Sequence, residues 1–283
     1  LDLIPKEATL GKMLPTLSKW ETLSAENKKL KAKAMAVNAA MLEAMDFHIG
    51  RYKTYLKEHG KLANTVFIIT SDNGPEASDP SLVAGMGLWL KYAGYNTDYE
   101  TLGEKDSWNF IGPGFASAAA SPNSFFKFYA GEGGLRVPLI ISGAHLPKGQ
   151  KKHAISFVTD VTPTILELAN IKTAPPLTKP YTGKTLYALI NNETDIVHDK
   201  EEVIGIEAAG HAALFKGDFK ITRNGPSYGD FKWRLYNLKN DPGEMNDLAL
   251  SSPKTFKDLL SEFDVYAANH NVLEMAEDYD LML

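Results

Sequence analysis

A carboxylate and an amide stand side by side directly after an apolar run in the sequence VFIITSDNGPE, residues 66–76. Asp72 and Asn73 offer oxygen ligands, which Ca²⁺ and Mg²⁺ prefer, whereas zinc prefers histidine and cysteine. In open α/β sheets ligands bind beyond the carboxyl ends of strands, and this pair falls there if residues 66–70 form a strand. The alternative is a plain turn, because Asn-Gly is a favoured turn pair. The pair therefore predicts either a metal site or a turn.

A second candidate is Lys127, which lies among aromatic residues just before the glycine-rich stretch GEGG. Its ammonium could contact an anion, or it could extend past its aromatic neighbours to solvent. GEGG is not a P-loop, because the Gly-Lys-Ser/Thr of that motif is missing and Glu132 would repel an anion. We interpret it as a tight turn that Glu132 and Arg136 stabilise. Asp160 and the acids near Glu201 are expected to be cap or surface charges.

The composition excludes several classes of protein. The 283 residues carry a net charge of −5, which argues against a general nucleic-acid binder. No apolar run approaches the roughly 18 residues of a membrane span. The sequence contains no cysteine, which excludes a disulfide, a thiolate metal site and a cysteine nucleophile within these residues.

The element before the candidate metal pair is predicted to be a long helix. Ser24 is a good N-cap and Gly60 is a typical helix end, so the helix should cover about residues 24–59. The apolar positions that recur at steps of three and four are Leu30, Ala34, Val37, Met41, Met45, Ile49, Tyr52 and Leu56. This periodicity predicts one apolar face in the core. Residues 66–70 do not alternate, which predicts a strand buried on both faces, as in a parallel sheet.

The remaining chain predicts a long excursion and a second, smaller sheet. Residues 77–130 contain many glycines and aromatics without a clear period, and a loop of that length is usually functional, so we expect it to build a pocket wall. A strand at 137–142 and a helix opened by Thr162 and Pro163 should follow. Prolines in residues 172–200 indicate a domain boundary.

Beyond that boundary, four short apolar segments separated by turn residues predict an antiparallel meander. A helix from about Pro253 to about Asn269 should close it. Its predicted buried face consists of Phe256, Leu259, Leu260, Phe263 and Tyr266. The predicted domains are residues 1–190 and residues 200–283.

Four motifs occur in a specific order: DNG, then EGG-R-P, then TD-TPT, then LY-L-DPGE-DLA. In the order and the residues of these motifs, the chain resembles the C-terminal half of bacterial arylsulfatases, which belong to the alkaline-phosphatase-like superfamily. The resemblance implies an α/β fold, with an alkaline-phosphatase-like sheet flanked by helices. It also implies a smaller C-terminal antiparallel sheet packed with a helix. By the same resemblance the protein is expected to be periplasmic or secreted.

The resemblance implies roles for particular residues. In the family, the Asp-Asn pair after the strand binds the active-site Ca²⁺, and the matching residues are Asp72 and Asn73, with Mg²⁺ as the alternative metal. A lysine ahead of the EGG turn contacts the sulfate group, and Lys127 matches it. The excursion should then hold the organic part of the ester, and its candidate wall residues are Trp108, Phe110 and Phe115. The segment IGPGFA departs from the family's usual sequence at this point, so the substrate preference of family members cannot be transferred to this chain.

The family's nucleophile motif is absent from this sequence. Family members carry Cys/Ser-x-Pro-x-Arg, whose first residue becomes formylglycine. The residues four positions before the arginines here are Phe47, Glu132, Phe219 and Asp230, and none can be converted. The resemblance therefore places formylglycine in a missing N-terminal half, to which the helix 24–59 and the strand 66–70 should present an apolar face. The expected partners are the missing N-terminal half and a small sulfate ester. No nucleic-acid partner and no membrane span are expected. We also expect the chain alone to be inactive.

Two alternatives remain open at the level of sequence. The chain could belong to a phosphodiesterase or phosphonate hydrolase of the same superfamily, whose nucleophile and second-metal ligands would lie in the missing half. It could also be a non-catalytic or split-subunit fragment, which the absent nucleophile motif favours.

Overall fold

The fold is described from a computed structural model, which covers residues 13–79, 83–172, 181–276 and 279. In chain order its helices are α1 (Ala25–Glu58), α2 (Met86–Tyr92), α3 (Gly112–Ala120), α4 (Glu132–Leu135), α5 (Val161–Leu168), α6 (Tyr187–Ile190) and α7 (Pro253–His270). Its strands are β1 (Val66–Thr70), β2 (Leu139–Gly143), β3 (Val203–Ala208), β4 (His211–Lys216), β5 (Phe219–Arg223) and β6 (Trp233–Asn237). In the part of the chain just defined, no helix is long and apolar enough to cross a membrane.

Backbone contacts divide the chain into two compact units. The first unit consists of Leu1–Tyr52, Asn73–Val137 and Val203–Leu283, and the second consists of Lys53–Asp72 and Pro138–Glu202. One of the four boundaries between the units therefore falls between Asp72 and Asn73. The predicted domains 1–190 and 200–283 stay a prediction.

Helix α1 confirms the predicted boundaries, and Ala34 and Leu56 of its predicted face are buried, but the middle of that face is exposed. The Ser24 hydroxyl accepts a hydrogen bond from the Asn27 amide at 3.1 Å, and Gly60 ends the helix with φ of 66°. Met41 and Met45 are 52% and 51% exposed, so the prediction that they lie in the core is wrong. The periodicity identified a face of the helix, but an apolar face needs a partner before it is buried.

The first unit holds a core cluster that the 77–130 excursion itself largely forms. This excursion contains α2 and α3, so it is more regular than its composition predicted. Both helices are short, and α3 is rich in glycine and alanine. The buried core residues are Leu17, Ala77, Ile111, Ala116, Phe126 and Tyr129.

The C-terminal part of the first unit confirms the predicted meander. Strands β3 to β6 pair antiparallel in sequence order. The central strand β4 is buried over most of its length. Helix α7 packs on this sheet through the predicted face, with Leu259 and Phe263 buried against Leu214, Ile221 and Leu235.

The second unit contains a two-stranded sheet in which β1 pairs antiparallel with β2, from Val66 opposite Gly143 to Thr70 opposite Leu139. The bounds of β1 are as predicted, but β1 is only partly buried and its described partner is antiparallel. The prediction of a parallel strand buried on both faces is therefore wrong for the described residues. A run of apolar residues favours a strand, but the partner's direction depends on residues about 70 positions away.

Asp160, predicted as a cap or surface charge, is fully buried in the second unit. Its carboxylate accepts hydrogen bonds from the amides of Phe157 at 2.7 Å and Lys184 at 2.8 Å. The His198 Nε2 atom lies 2.9 Å from the same carboxylate. Asp160 thus joins three segments of the chain at the start of α5. The prediction of a surface charge is therefore wrong, whereas the predicted capping role agrees with its hydrogen bonds to nearby amides.

Candidate functional site

The candidate metal pair lies directly beyond the end of β1. Asp72 is exposed and Asn73 is half-buried. Carboxylate and amide oxygens are the donors that Ca²⁺ and Mg²⁺ accept. No group of three or more His, Cys, Asp or Glu residues in the described ranges could hold a metal ion. The pair has the donor chemistry for Ca²⁺ but provides only two of the six to eight oxygens that this ion takes.

Gly74 brings the segment after β1 against the EGG turn. Its amide donates a hydrogen bond to the Gly134 carbonyl at 2.9 Å. A Cβ atom at position 74 would lie 1.8 Å from the Gly133 carbonyl oxygen, which is backbone and cannot move aside. Only glycine permits this approach. The DNG and EGG motifs, far apart in sequence, are therefore in direct contact.

Lys127 is joined to the same segment by its backbone and by its side chain. Its amide donates to the Pro75 carbonyl at 3.0 Å, and its ammonium lies 2.7 Å from the Glu76 carboxylate. The ammonium also lies 5.1 Å from the centre of the Phe128 ring. The side chain is 33% exposed, so Lys127 is neither buried nor extended freely into solvent. It is a fixed, partly accessible cation.

Glu76 is a member of this site that the sequence analysis missed. Burial raises the pKa of its carboxyl, but the hydrogen bond from Lys127 and those from Ser78 outweigh it, so the net pKa lies below its ordinary value. An anion at Lys127 would therefore meet an ammonium already paired with a carboxylate. The available signal was the position of Glu76 in SDNGPE, two residues after Gly74.

The candidate wall residues lie in different surroundings. Trp108 is 37% exposed and forms edge-to-face contacts with Trp89 and Tyr95, at centroid distances of 6.1 Å and 5.3 Å. Phe115 packs against the core of the first unit, 5.7 Å from the Trp20 ring, and Phe110 is half-buried. Trp108 thus belongs to a surface aromatic cluster, whereas Phe115 contributes to core packing.

The EGG turn forms the short helix α4 and carries a buried carboxylate. Glu132 accepts a hydrogen bond from the Arg136 guanidinium at 2.6 Å, which confirms the predicted bracing of the turn. The sequence analysis missed two further partners, since Lys220 on β5 lies 2.9 Å from Glu132 and 2.7 Å from Glu244. The side chains of all three are between 0% and 4% exposed.

Burial and neighbouring charges together set the pKa values of this buried cluster. Burial lowers the pKa of the Lys220 ammonium, but the two carboxylates outweigh it and raise the net pKa. Burial raises the pKa of the Glu132 carboxyl, but Lys220 and Arg136 outweigh it and hold that pKa below its usual value. For Glu244 the effect of burial prevails, so its pKa is raised despite Lys220. Lys220 is therefore charged and Glu132 is its firm counter-ion.

Comparison with known proteins shows the family. Residues 12–171 match the sequence profile of the family described as Sulfatase. This chain belongs to the sulfatase family. It is also 33% identical over 274 residues to an uncharacterized sulfatase of Schizosaccharomyces pombe, an alignment that covers 92% of this chain and 48% of that protein.

A second relative agrees with this assignment, and a solved structure shares the fold. The sulfatase chain is 31% identical over 176 residues to an arylsulfatase of Klebsiella aerogenes, covering 60% of this chain and 38% of that protein. The crystal structure of Ps i-CgsB in complex with k-i-k-neocarrahexaose superposes with a TM-score of 0.58 at 23% identity, covering 89% of this chain and 48% of that chain. The expected alkaline-phosphatase-like α/β fold is thereby confirmed. The chain spans about half, or less, of the length of these relatives.

Proposed function

We propose that this chain forms part of a sulfatase that hydrolyses aryl-type sulfate esters. In this proposal Asp72 and Asn73 contribute oxygen ligands to a Ca²⁺ ion, with Mg²⁺ as the alternative, and Lys127 contacts the sulfate group. The observation that supports it is the pair of backbone bonds from Gly74 to Gly134 and from Lys127 to Pro75, at 2.9 Å and 3.0 Å. They hold the segment that follows the metal pair against the segment that carries the lysine.

The side chain of Lys127 suits this role physically. A sulfate ester carries charge on oxygens that a fixed ammonium can stabilise without reorganising. Glu76 holds that ammonium in place through the 2.7 Å ion pair. A Ca²⁺ ion, when bound, would supply further positive charge for the same oxygens and lower the pKa of a nearby nucleophile.

The remaining machinery is proposed to lie outside these 283 residues. The sequence contains no Cys/Ser-x-Pro-x-Arg motif, and we propose that an N-terminal half supplies the formylglycine expected of the family. We further propose that the complete protein is periplasmic or secreted and that its substrate is a small-molecule sulfate ester. Trp108, Phe110 and Phe115 stay candidate contacts for the organic part of that ester.

The test is Lys127→Ala in the full-length protein that contains this chain. Turnover of a chromogenic aryl sulfate should fall by about 10²-fold, the scale seen when one preorganised charge-stabilising donor is lost. Lys257→Ala, at an exposed position of α7, is the matched control and should leave turnover unchanged. Normal turnover in the folded Lys127→Ala protein would contradict the proposal, and turnover of a phosphate diester or phosphonate in place of the sulfate would favour the superfamily alternative.

A non-catalytic or split-subunit role is the second candidate, because the nucleophile motif is absent from this sequence. Without a positioned nucleophile most of the proximity contribution, roughly 7–11 kcal/mol, is unavailable. We therefore expect no turnover by the pure chain with Ca²⁺. Turnover that starts only on adding an N-terminal fragment of a related sulfatase would support a split enzyme, whereas turnover by the pure chain would contradict the reasoning.

A further inference from the structure

The buried ion cluster of Glu132, Lys220 and Glu244 has no part in the chemistry proposed above. All three side chains are withdrawn from water, with one cation 2.9 Å and 2.7 Å from two carboxylates. Burying charges costs free energy that their mutual attraction repays only with good geometry, and apolar residues would often be as stable. The cluster is therefore weak evidence for stability, and its location indicates what else it does.

One end of the cluster is joined to the C-terminal sheet. The Glu132 amide donates to Glu244 Oε2 at 2.8 Å, and the Ala130 amide donates to Asn224 Oδ1 at 2.7 Å. The Thr222 hydroxyl donates to the Ala130 carbonyl at 3.2 Å. The backbone of residues 130–132 is thus bonded to side chains from β5 and the segments that follow it.

The other end of the same turn touches the candidate site. The Gly134 carbonyl accepts the Gly74 amide, and seven residues before it the Lys127 amide donates to Pro75. A displacement of the turn would therefore move residues 73–76 relative to the segment that carries Lys127, because the turn bonds to Gly74 whereas the Lys127 amide bonds to Pro75.

We propose that Lys220 and Glu132 are positioning residues. Their buried ion pair holds the turn 131–135 against β5, and the turn in its place sets the position of residues 73–76 and the Lys127 ammonium. The consequence for catalysis rests on the proposed function, but the positioning is a property of this chain by itself. The C-terminal meander thereby takes part in shaping the site without contributing a group to it.

The test is Glu132→Gln, which preserves side-chain shape and leaves Lys220 neutralised by Glu244. Charge-assisted hydrogen bonds are about twice as strong as neutral ones, so we expect amide hydrogen exchange at Gly74 and Lys127 to be roughly tenfold faster. Exchange in β4 and β5 should change by less than about threefold, because the sheet keeps its own bonds.

The pKa of Glu76, measured by NMR, is the second readout. It should rise toward its ordinary value in Glu132→Gln as Lys127 moves away, whereas a purely structural role of Glu132 would leave it unchanged. Lys216→Met is the matched control, since Lys216 on β4 of the same sheet pairs with Glu262 of α7 at 2.7 Å. This control should leave the Glu76 pKa and the Gly74 exchange unaltered.

Glu244→Gln is the second variant, and it keeps the Lys220–Glu132 pair. Protection at Gly74 should then stay within about threefold of the unchanged protein. Unchanged exchange at Gly74 and Lys127 in folded Glu132→Gln, or equal loosening by Lys216→Met, would overturn the inference. If Lys127→Ala leaves sulfate turnover intact while these readouts change as expected, the proposed function fails and the positioning role stands.

Discussion

Replacing Lys220 with methionine removes the cation that lies between Glu132 and Glu244. Methionine has a similar length and volume, so the substitution leaves little cavity, and its main effect is electrostatic. Both carboxylates stay between 2% and 4% exposed, at 2.9 Å and 2.7 Å from the position of the lost ammonium. Breaking a buried ion pair by removing one partner costs about 3–5 kcal/mol. That is a large part of the 5–15 kcal/mol typical of a folded domain.

The pH dependence of this loss follows from the pKa shifts. In the unchanged protein the pKa of Glu132 lies below its ordinary value, so its stabilising contribution is present above an unfolded pKa of about 4.3 and is lost as pH falls through the folded pKa. Burial already raises the pKa of Glu244, and the loss of Lys220 removes the cation that lowers it. The protonated form of Glu244 then favours the fold at low pH, and this contribution is lost as pH rises. The deficit should therefore be largest near pH 7 and shrink toward pH 4.

The assay is urea unfolding of the chain at pH 7 and pH 4.5, with hydrogen exchange of β5 amides as a local check. Lys216→Met is the control, because its ion pair with Glu262 is about 30% exposed and such pairs contribute about 0–1 kcal/mol. A Lys220→Met deficit below about 1 kcal/mol at pH 7, or one that does not change with pH, would refute the reasoning.

Three further predictions concern the segment that follows β1. Gly74→Ala should destabilise the fold by about 1–3 kcal/mol in urea unfolding, since its Cβ would lie 1.8 Å from a backbone oxygen, whereas Gly114→Ala on α3, with nothing within 4 Å, should cost nothing. Lys127→Met should raise the Glu76 pKa toward its ordinary value in an NMR titration, and an unchanged pKa would show that the ion pair is not what lowers it. Replacing Asp72 and Asn73 together with alanine should lower the bound Ca²⁺ of the full-length protein by tenfold or more in elemental analysis, as expected for the loss of two oxygen ligands. Undiminished metal, or an equal loss in the exposed α7 variant Asp264→Ala, would contradict that assignment.

Local features of this chain were predictable from sequence because they depend on neighbouring residues. The Ser24 cap and Gly60 bound α1 as predicted, since capping is a matter of a single helical turn. The bounds of β1, the order of β3 to β6 and the face of α7 on the sheet were also correct. The four ordered motifs predicted the family, which the comparison confirmed.

Burial and pairing partners were decided by the tertiary structure alone. Met41 and Met45 have the periodicity of core residues and yet are exposed, because periodicity names a face and not the surface that covers it. The direction of the β1 partner was wrong for a related reason, since strand pairing is set by distant residues.

The ion pairs at and near the site are the clearest example of contacts that only the tertiary structure decides. The sequence identified Lys127 and Glu132 as notable residues. It could not show that Glu76 pairs with Lys127 or that Lys220 pairs with Glu132. Lys220 stands on a strand whose sequence, FKITR, is typical of a sheet with one face in water. It is buried because Glu132 and Glu244, 88 and 24 residues away, supply the carboxylates that make a buried ammonium tolerable. Such compensation between distant charges exists only once the chain has folded.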